Sequence, residues 1–265
     1  MSLYWMLNNQ WPSFFGSLFD YYLKPGGAYY GAKKGLRPLS VVFDYFATGD
    51  RSHANFTLVN QTPKEQTGLR ARIRIYDLEG KAQIDRTISG LGAAPGGTAH
   101  VLTLPRPANI TPVYFVRCEL FDAAGVRVLE NVYWQSTRDD VMAGDGAFNL
   151  RQDSWADMTA LNSMPSAPIH LEAHSVGPAG GGSIAIRLEN RTAHVAFFER
   201  AEIAASRDGD EILPIEYDDN YITVFPGETE EIHGEVRVAG ADPAVSPAWV
   251  RLRGYNTPEE TAPIR

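Results

Sequence analysis

Leu69-Arg70-Ala71-Arg72-Ile73-Arg74-Ile75 alternates aliphatic residues with arginine at every step. Successive side chains of a strand point to opposite faces, so the run predicts a wet arginine face and a buried face of Leu69, Ala71, Ile73 and Ile75. A half-buried strand of that kind needs a sheet, and the sheet needs an apolar partner. Outward from this stretch the same period recurs. Leu39–Tyr45 and Ala54–Val59 lie upstream, and Gln83–Ile88, His100–Leu104, Val113–Phe121 and Val126–Gln135 lie downstream. Asp77-Leu78-Glu79-Gly80 and Asp122-Ala123-Ala124-Gly125 supply turns between them. Seven short strands over about 100 residues predict an immunoglobulin-like β-sandwich, residues 39–137.

The alternation lapses over residues 138–167, where Asp139, Asp140, Gly144, Asp145 and Gly146 precede the apolar segment Trp155–Leu161. This reads as a linker with a short clasp and as the preferred site of proteolysis. A second set of runs follows: Ile169–His174, Ser183–Glu189, Phe197–Ala204, Ile212–Tyr217, Tyr221–Val224, Glu231–Val238 and Trp249–Tyr255. It predicts a second immunoglobulin-like sandwich, residues 168–265. Asn60-Gln61-Thr62 and Asn190-Arg191-Thr192 punctuate an early strand in each set, which suggests two copies of one architecture. The fold class is therefore mainly β.

Residues 1–38 differ. Leu3-Tyr4-Trp5-Met6-Leu7 predicts a short strand ending at Asn8-Asn9, and Trp11-Pro12 follows. Phe14, Phe15, Leu18, Tyr21 and Tyr22 recur at helical spacing, predicting a helix over Phe14–Leu23 that Lys24-Pro25-Gly26-Gly27 terminates. A second short helix runs through Tyr29, Tyr30, Ala32 and Lys33 and closes before Pro38. One strand and two helices make no domain, so the segment reads as the cut end of something larger. Its apolar helix face is expected to dock on the first sandwich near Tyr133-Trp134.

Composition excludes several classes. At 265 residues, 44% hydrophobic and 21% charged, the chain is too apolar to be disordered. No run approaches the roughly 18–20 apolar residues of a membrane span, and no signal region is evident. A formal charge of −8 argues against nucleic acid. The single cysteine, Cys118, shares a face with Val116 and Leu120 and reads as a buried small hydrophobe. His170 and His174 lack a third ligand, and the linker aspartates lack calcium-loop spacing, so no metal and no cofactor is expected.

The words Trp5-Met6-Leu7-Asn8-Asn9-Gln10-Trp11-Pro12, Phe19-Asp20-Tyr21-Tyr22, Gly27-Ala28-Tyr29-Tyr30-Gly31-Ala32-Lys33-Lys34 and Asn131-Val132-Tyr133-Trp134 carry a family resemblance. So do Asp219-Asn220-Tyr221-Ile222-Thr223-Val224-Phe225-Pro226-Gly227-Glu228 and Gly254-Tyr255-Asn256. Together they resemble glycoside hydrolase family 2, in its exo-β-D-glucosaminidase and β-mannosidase-like branch. The resemblance implies that residues 1–38 are a remnant of the last strand and helix of a (β/α)8 barrel. It implies a retaining parent that removes terminal β-linked glucosamine from chitosan-type oligosaccharides, with a β-mannosidase-like parent as the alternative. Its two catalytic glutamates would lie upstream, so the fragment is expected to be inactive. The partners implied are the rest of the parent glycosidase and its oligosaccharide substrate, and a secreted or periplasmic location is favoured. Trp5, Asn8, Asn9 and Trp11 are the substrate-binding candidates, because indole faces stack on pyranose rings and asparagine bonds hydroxyls. Packing of Trp5 and Trp11 between barrel and sandwich competes with that reading. A carbohydrate-binding or purely structural sandwich module is the remaining alternative; adjacent Tyr133 and Trp134 must face opposite ways, so at most one can join a sugar platform.

Overall fold

The structure, a computed structural model, describes residues 4, 6–13, 16–44, 53–143, 152–176, 183–236 and 247–265. In chain order the elements are helix α1 (Gly27–Gly35) and strands β1 (Leu39–Asp44), β2 (His53–Asn60), β3 (Gln66–Tyr76), β4 (Ala82–Ala93), β5 (Thr98–Pro105), β6 (Val113–Phe121) and β7 (Arg127–Ser136). Then come β8 (Val141–Met142), β9 (Gln152–Ser154), a 3-10 turn (Thr159–Ser163), β10 (Ile169–Val176), β11 (Ser183–Asn190), β12 (Ala196–Ala204), β13 (Ile215–Tyr217), β14 (Ile222–Val224), β15 (Thr229–Val236), β16 (Trp249–Arg253) and β17 (Glu260–Pro263). They form two compact units, Gly35–Met164 and Met1–Lys34 with Pro165–Arg265.

In the first unit, antiparallel sheets β1-β2-β5 and β4-β3-β6-β7 enclose a core that includes Phe56, Leu58, Ala71, Ile73, Val116, Cys118 and Leu120. The expected inner face of β3 is there. Its arginine face is drier than the alternation suggests. Arg74 bonds Glu119 at 2.6 Å, both buried, and the fully buried Arg117 contacts Glu119 at 3.4 Å and pairs with Glu130. Opposite charges satisfy one another across β3, β6 and β7, which lets β6 be buried on both faces. Arg70, stacked on Phe121, and Arg72, paired with Asp85 at 2.6 Å, stay partly exposed, nearer the wet position expected of them. The segment read as a linker holds the β8–β9 pairing and the 3-10 turn, with Asp139 bonded to Arg106 at 2.6 Å and Asp140 accepting the Ala156 N–H.

In the second unit, sheets β10-β11-β15-β13 and β14-β12-β16-β17 enclose Ile186, Leu188, Ala201, Ile203, Val224, Ile232, Val250 and Leu252. One device recurs in both sandwiches. Asn60, ending β2, donates to the carbonyls of Lys64, Ala93 and Ala94, and its Oδ1 accepts from Thr62 N–H and Oγ1. Asn190, ending β11, donates to His194 and Val224 and accepts the same pair from Thr192. Both asparagines are fully buried, and each ties the end of its strand to backbone carbonyls of a later segment.

Candidate functional site

The N-terminal segment departs from expectation in four ways. Residues 1–3 and Trp5 lie outside the described residues, as do Phe14 and Phe15, and Tyr4, Met6 and Leu7 belong to no strand. No helix covers residues 16–23. Their backbone is committed elsewhere: Phe19 N–H donates to Leu7 O at 2.9 Å, Gly26 N–H donates to Leu18 O at 3.0 Å, and Asp20 Oδ1 accepts Lys24 N–H at 2.9 Å across a tight turn with Leu23 at φ +61. The Gly26-Gly27 pair opens α1 instead of closing a helix. Most importantly, the segment forms one compact unit with the second sandwich, where docking on the first was expected.

Aromatic packing and cations explain that choice. Ring centroids run from Phe19 to Tyr29 (5.1 Å), Tyr29 to Tyr30 (5.0 Å), Tyr30 to Tyr221 (5.8 Å) and Tyr221 to Phe198 (5.1 Å). Tyr30 is buried within the second core, and burial pushes its phenol pKa well above the ordinary value. A Cβ on Gly27 would meet Phe198 Cζ at 2.6 Å, so glycine is what permits α1 to come this close. Three lysines add polar ties. Lys24 lies 3.4 Å from Glu211, Lys34 lies 3.0 Å from Asp219, and Lys33 Nζ donates to Tyr217 O at 2.7 Å. Glu211 also bonds Arg200 at 2.8 Å; burial raises its carboxyl pKa while Arg200 and Lys24 hold it down.

On this support sits the Asn8-to-Trp11 loop. Asn8 bridges Phe19 in parallel, with its side chain exposed. Asn9 is 5% exposed and turns inward, its Nδ2 donating to Ser13 O at 3.4 Å. Trp11 is 63% exposed, an indole open to a ligand or to another surface. Among the described residues no hydrogen bond or ring contact joins Asn8, Asn9 and Trp11 to one another. Behind the loop's support a cavity of about 600 Å³ is lined by Phe19, Tyr22, Pro25, Tyr29, Tyr30 and Pro214 among others. Among the described residues no acidic, histidine or cysteine group is arranged to hold a metal, and no helix is long and apolar enough to cross a membrane. His170, exposed on β10, faces Glu172 at 3.6 Å. Trp134 is 37% exposed while Tyr133 packs on the first core, the opposite facing that their adjacency requires.

The architecture defines a class: paired immunoglobulin-like sandwiches, the second of which carries an aromatic N-terminal strap. Residues 147–257 match the model of the exo-beta-D-glucosaminidase Ig-fold domain, and along nearly its whole length the chain is similar to part of exo-beta-D-glucosaminidases. It is 33% identical to the exo-beta-D-glucosaminidase of Amycolatopsis orientalis over 98% of its own length and 25% of that protein. The Streptomyces avermitilis exo-beta-D-glucosaminidase is 34% identical over 98% of the chain and 29% of that relative. The crystal structure of Amycolatopsis orientalis exo-chitosanase CsxA superposes with a TM-score of 0.85 at 32% identity, covering 98% of this chain and 30% of that one. The chain thus spans a quarter to a third of the length of these relatives.

Proposed function

We propose that the chain is the C-terminal accessory region of a retaining glycoside hydrolase that removes terminal β-linked glucosamine from chitosan-type oligosaccharides. The observation that carries the reading is the likeness, at TM-score 0.85 and along 98% of the chain, to part of an exo-chitosanase. Residues 1–38 are the barrel remnant, 39–137 and 168–265 the two sandwiches, and 138–167 the connection between them. Retaining chemistry needs two carboxylates about 5 to 5.5 Å apart, and in this reading both belong to the preceding part of the barrel. The chain contributes support and one loop to the sugar site. Trp11, with Trp5, offers an indole face to a pyranose ring, Asn8 offers an amide to its hydroxyls, and Asn9 holds the loop's shape from inside.

The purified chain is expected to release no chromogenic leaving group from a β-glucosaminide above a mock preparation. Release by the chain alone would overturn the assignment of catalysis to the missing barrel. In the full-length parent, Trp11→Ala is expected to raise KM with kcat little changed, the signature of lost uniform binding. An unchanged KM would remove Trp11 from the sugar site and leave it a packing residue.

A further inference from the structure

The bulge at the start of β12 breaks two rules that its counterpart in the first sandwich keeps. In β3 the bulged pair is Gly68, at φ +67, followed by Leu69, which is 3% exposed in the core. In β12 the same register shift holds Phe198, at φ +61, followed by Glu199, which is fully buried. A left-handed non-glycine residue and a buried carboxyl each cost free energy, and their persistence together points to a task for the pair.

The geometry has a place for a proton on Glu199. Thr257 Oγ1 lies 3.0 Å from the carbonyl oxygen of Ala167 and 2.5 Å from Glu199 Oε1. One hydroxyl proton cannot serve both oxygens, and a protonated Glu199 that donates to Thr257 Oγ1 leaves the hydroxyl to donate to Ala167, so that both contacts are satisfied. Glu199 Oε2 has no hydrogen-bond partner among the described residues. Gly254 lies against the carboxyl so closely that any Cβ there would collide with it. Neighbouring charges are engaged elsewhere. Arg200 bonds Glu202 and Glu211 at 2.8 Å each, and Arg253 bonds Glu259 at 2.6 Å. The rings of Tyr221 and Tyr255 pack on Phe198 and Phe197. Burial accordingly pushes the Glu199 carboxyl up to about 8.

The two residues of the bulge face different elements. Glu199 holds the Gly254–Thr257 loop, and Phe198 is the ring against which Gly27 seats α1. We propose that neutral Glu199 is a latch: its proton keeps the bulge closed on the Gly254–Thr257 loop, and its loss at alkaline pH opens the bulge and frees α1, with the Asn8-to-Trp11 loop, from the second sandwich. This inference is independent of the glycosidase reading. The carboxyl's folded pKa lies above its unfolded value, so the stabilisation it brings is complete below the unfolded value and is lost as pH rises through about 8.

Brief trypsin pulses on the full chain at about pH 6.5 and about pH 9, normalised to cleavage of an unstructured lysine peptide, read the latch at Lys33 and Lys34. Cleavage there is expected to rise at least about tenfold between the two conditions in the native chain and to stay level in Glu199→Gln, whose amide bonds Thr257 but cannot ionise. An equal rise in the glutamine variant, or no rise in the native chain, overturns the proposal. Should that variant fail to fold, infrared spectra of the native chain labelled with carboxyl-13C glutamate decide alone. One protonated carboxyl stretch must persist at neutral pH and disappear near pH 8; its absence at neutral pH overturns the latch.

Discussion

The two sandwiches are built on one frame and filled differently. Asn60 and Asn190 end equivalent strands, face equivalent partners (Leu39 and Ile169), and donate their own N–H groups to equivalent later turns, Asn60 to Gly97 O and Asn190 to Glu228 O. Beyond those fixed points the copies diverge. In the first, the chain after β3 returns as the long strand β4 along the edge of the same sheet; in the second, β13 crosses to pair with β15 before the short β14 returns to β12. The crossing brings Tyr217 into the core, where its hydroxyl accepts the Ile203 N–H. Room for it comes from a cross-strand exchange of sizes. Ala54 faces Leu104 in the first sandwich, whereas Ile184 faces Gly234 in the second, and a Cβ on Gly234 would meet Ile203 Cδ1 at 2.7 Å and Tyr217 at 3.1 Å. The difference teaches that buried polar ties to backbone define the frame, while the edge strand and filling can vary if volume is conserved.

Breaking the shared device is expected to have the largest effect. Asn60→Asp or Asn190→Asp replaces a buried donor amide by an acceptor facing carbonyls, leaving at least two of them unsatisfied in either sandwich. Each substitution should cost about 4 kcal/mol, measured by urea unfolding with hydrogen exchange assigning the loss to its own strands. Losses differing more than about threefold between the two would mean that the frames are not equivalent. Next in size, Gly234→Ala forces a methyl between Ile203 and Tyr217 and should cost about 1–3 kcal/mol, and Leu104→Ala should cost about 2–4 kcal/mol through the cavity it leaves. A stable Gly234→Leu variant would show that Tyr217 does not need that space.

Sequence periodicity is enough to find nearly all of this frame. Alternation located the paired sheets because one face of each strand is apolar, and the two Asn-x-Thr words marked the repeat. Strand β17 escaped notice: Glu260-Thr261-Ala262-Pro263 has one core residue, Ala262, and a proline, too little signal for a strand. The helix expected over Phe14–Leu23 failed for another reason. Over the described residues 16–23 the backbone bonds Leu7 and Gly26 instead, Phe19 packs on Tyr29, and Tyr21 and Tyr22 stay exposed, so the spacing of the aromatics reports no buried helix face. Docking on the second sandwich was illegible because its partner rings, Phe198 and Tyr221, lie far along the chain. Of the candidate site, the loop residues were readable as residue types, but the inward turn of Asn9 was not, since it depends on the Ser13 carbonyl. Glu199 gave no signal, because a glutamate among Phe198 and Arg200 reads as a surface position.

The bulge gives a smaller test of the same comparison. Gly68→Ala keeps open space, its Cβ meeting only Ala123 at 3.4 Å, but must hold φ near +67. The expected cost is about 1 kcal/mol, read as a shift in the urea midpoint without a change in slope. A neutral result would show that β3 tolerates a left-handed alanine as β12 tolerates Phe198.

The smallest effect is expected where the first sandwich's arginine face is still wet. Arg72 bonds Asp85 twice, at 2.9 and 2.6 Å, with both side chains more than a third exposed. The guanidinium holds the Asp85 carboxyl below its usual range, so the pair contributes above the unfolded carboxylate value and its contribution fades as pH falls through the lower folded one. Solvent and salt screen a pair this exposed, and Arg72→Ala should cost only about 0.5 kcal/mol at low ionic strength and less in high salt. Two positions along the same strand face, Arg74 is buried against Glu119, and removing its charge takes from that buried carboxylate its shortest ion pair and leaves it Arg117 at 3.4 Å. Equal costs for Arg72→Ala and Arg74→Ala in unfolding measurements would mean that burial does not set the worth of these pairs. A cost for Arg72→Ala that high salt leaves unchanged would point instead to packing of the arginine stem on the sheet.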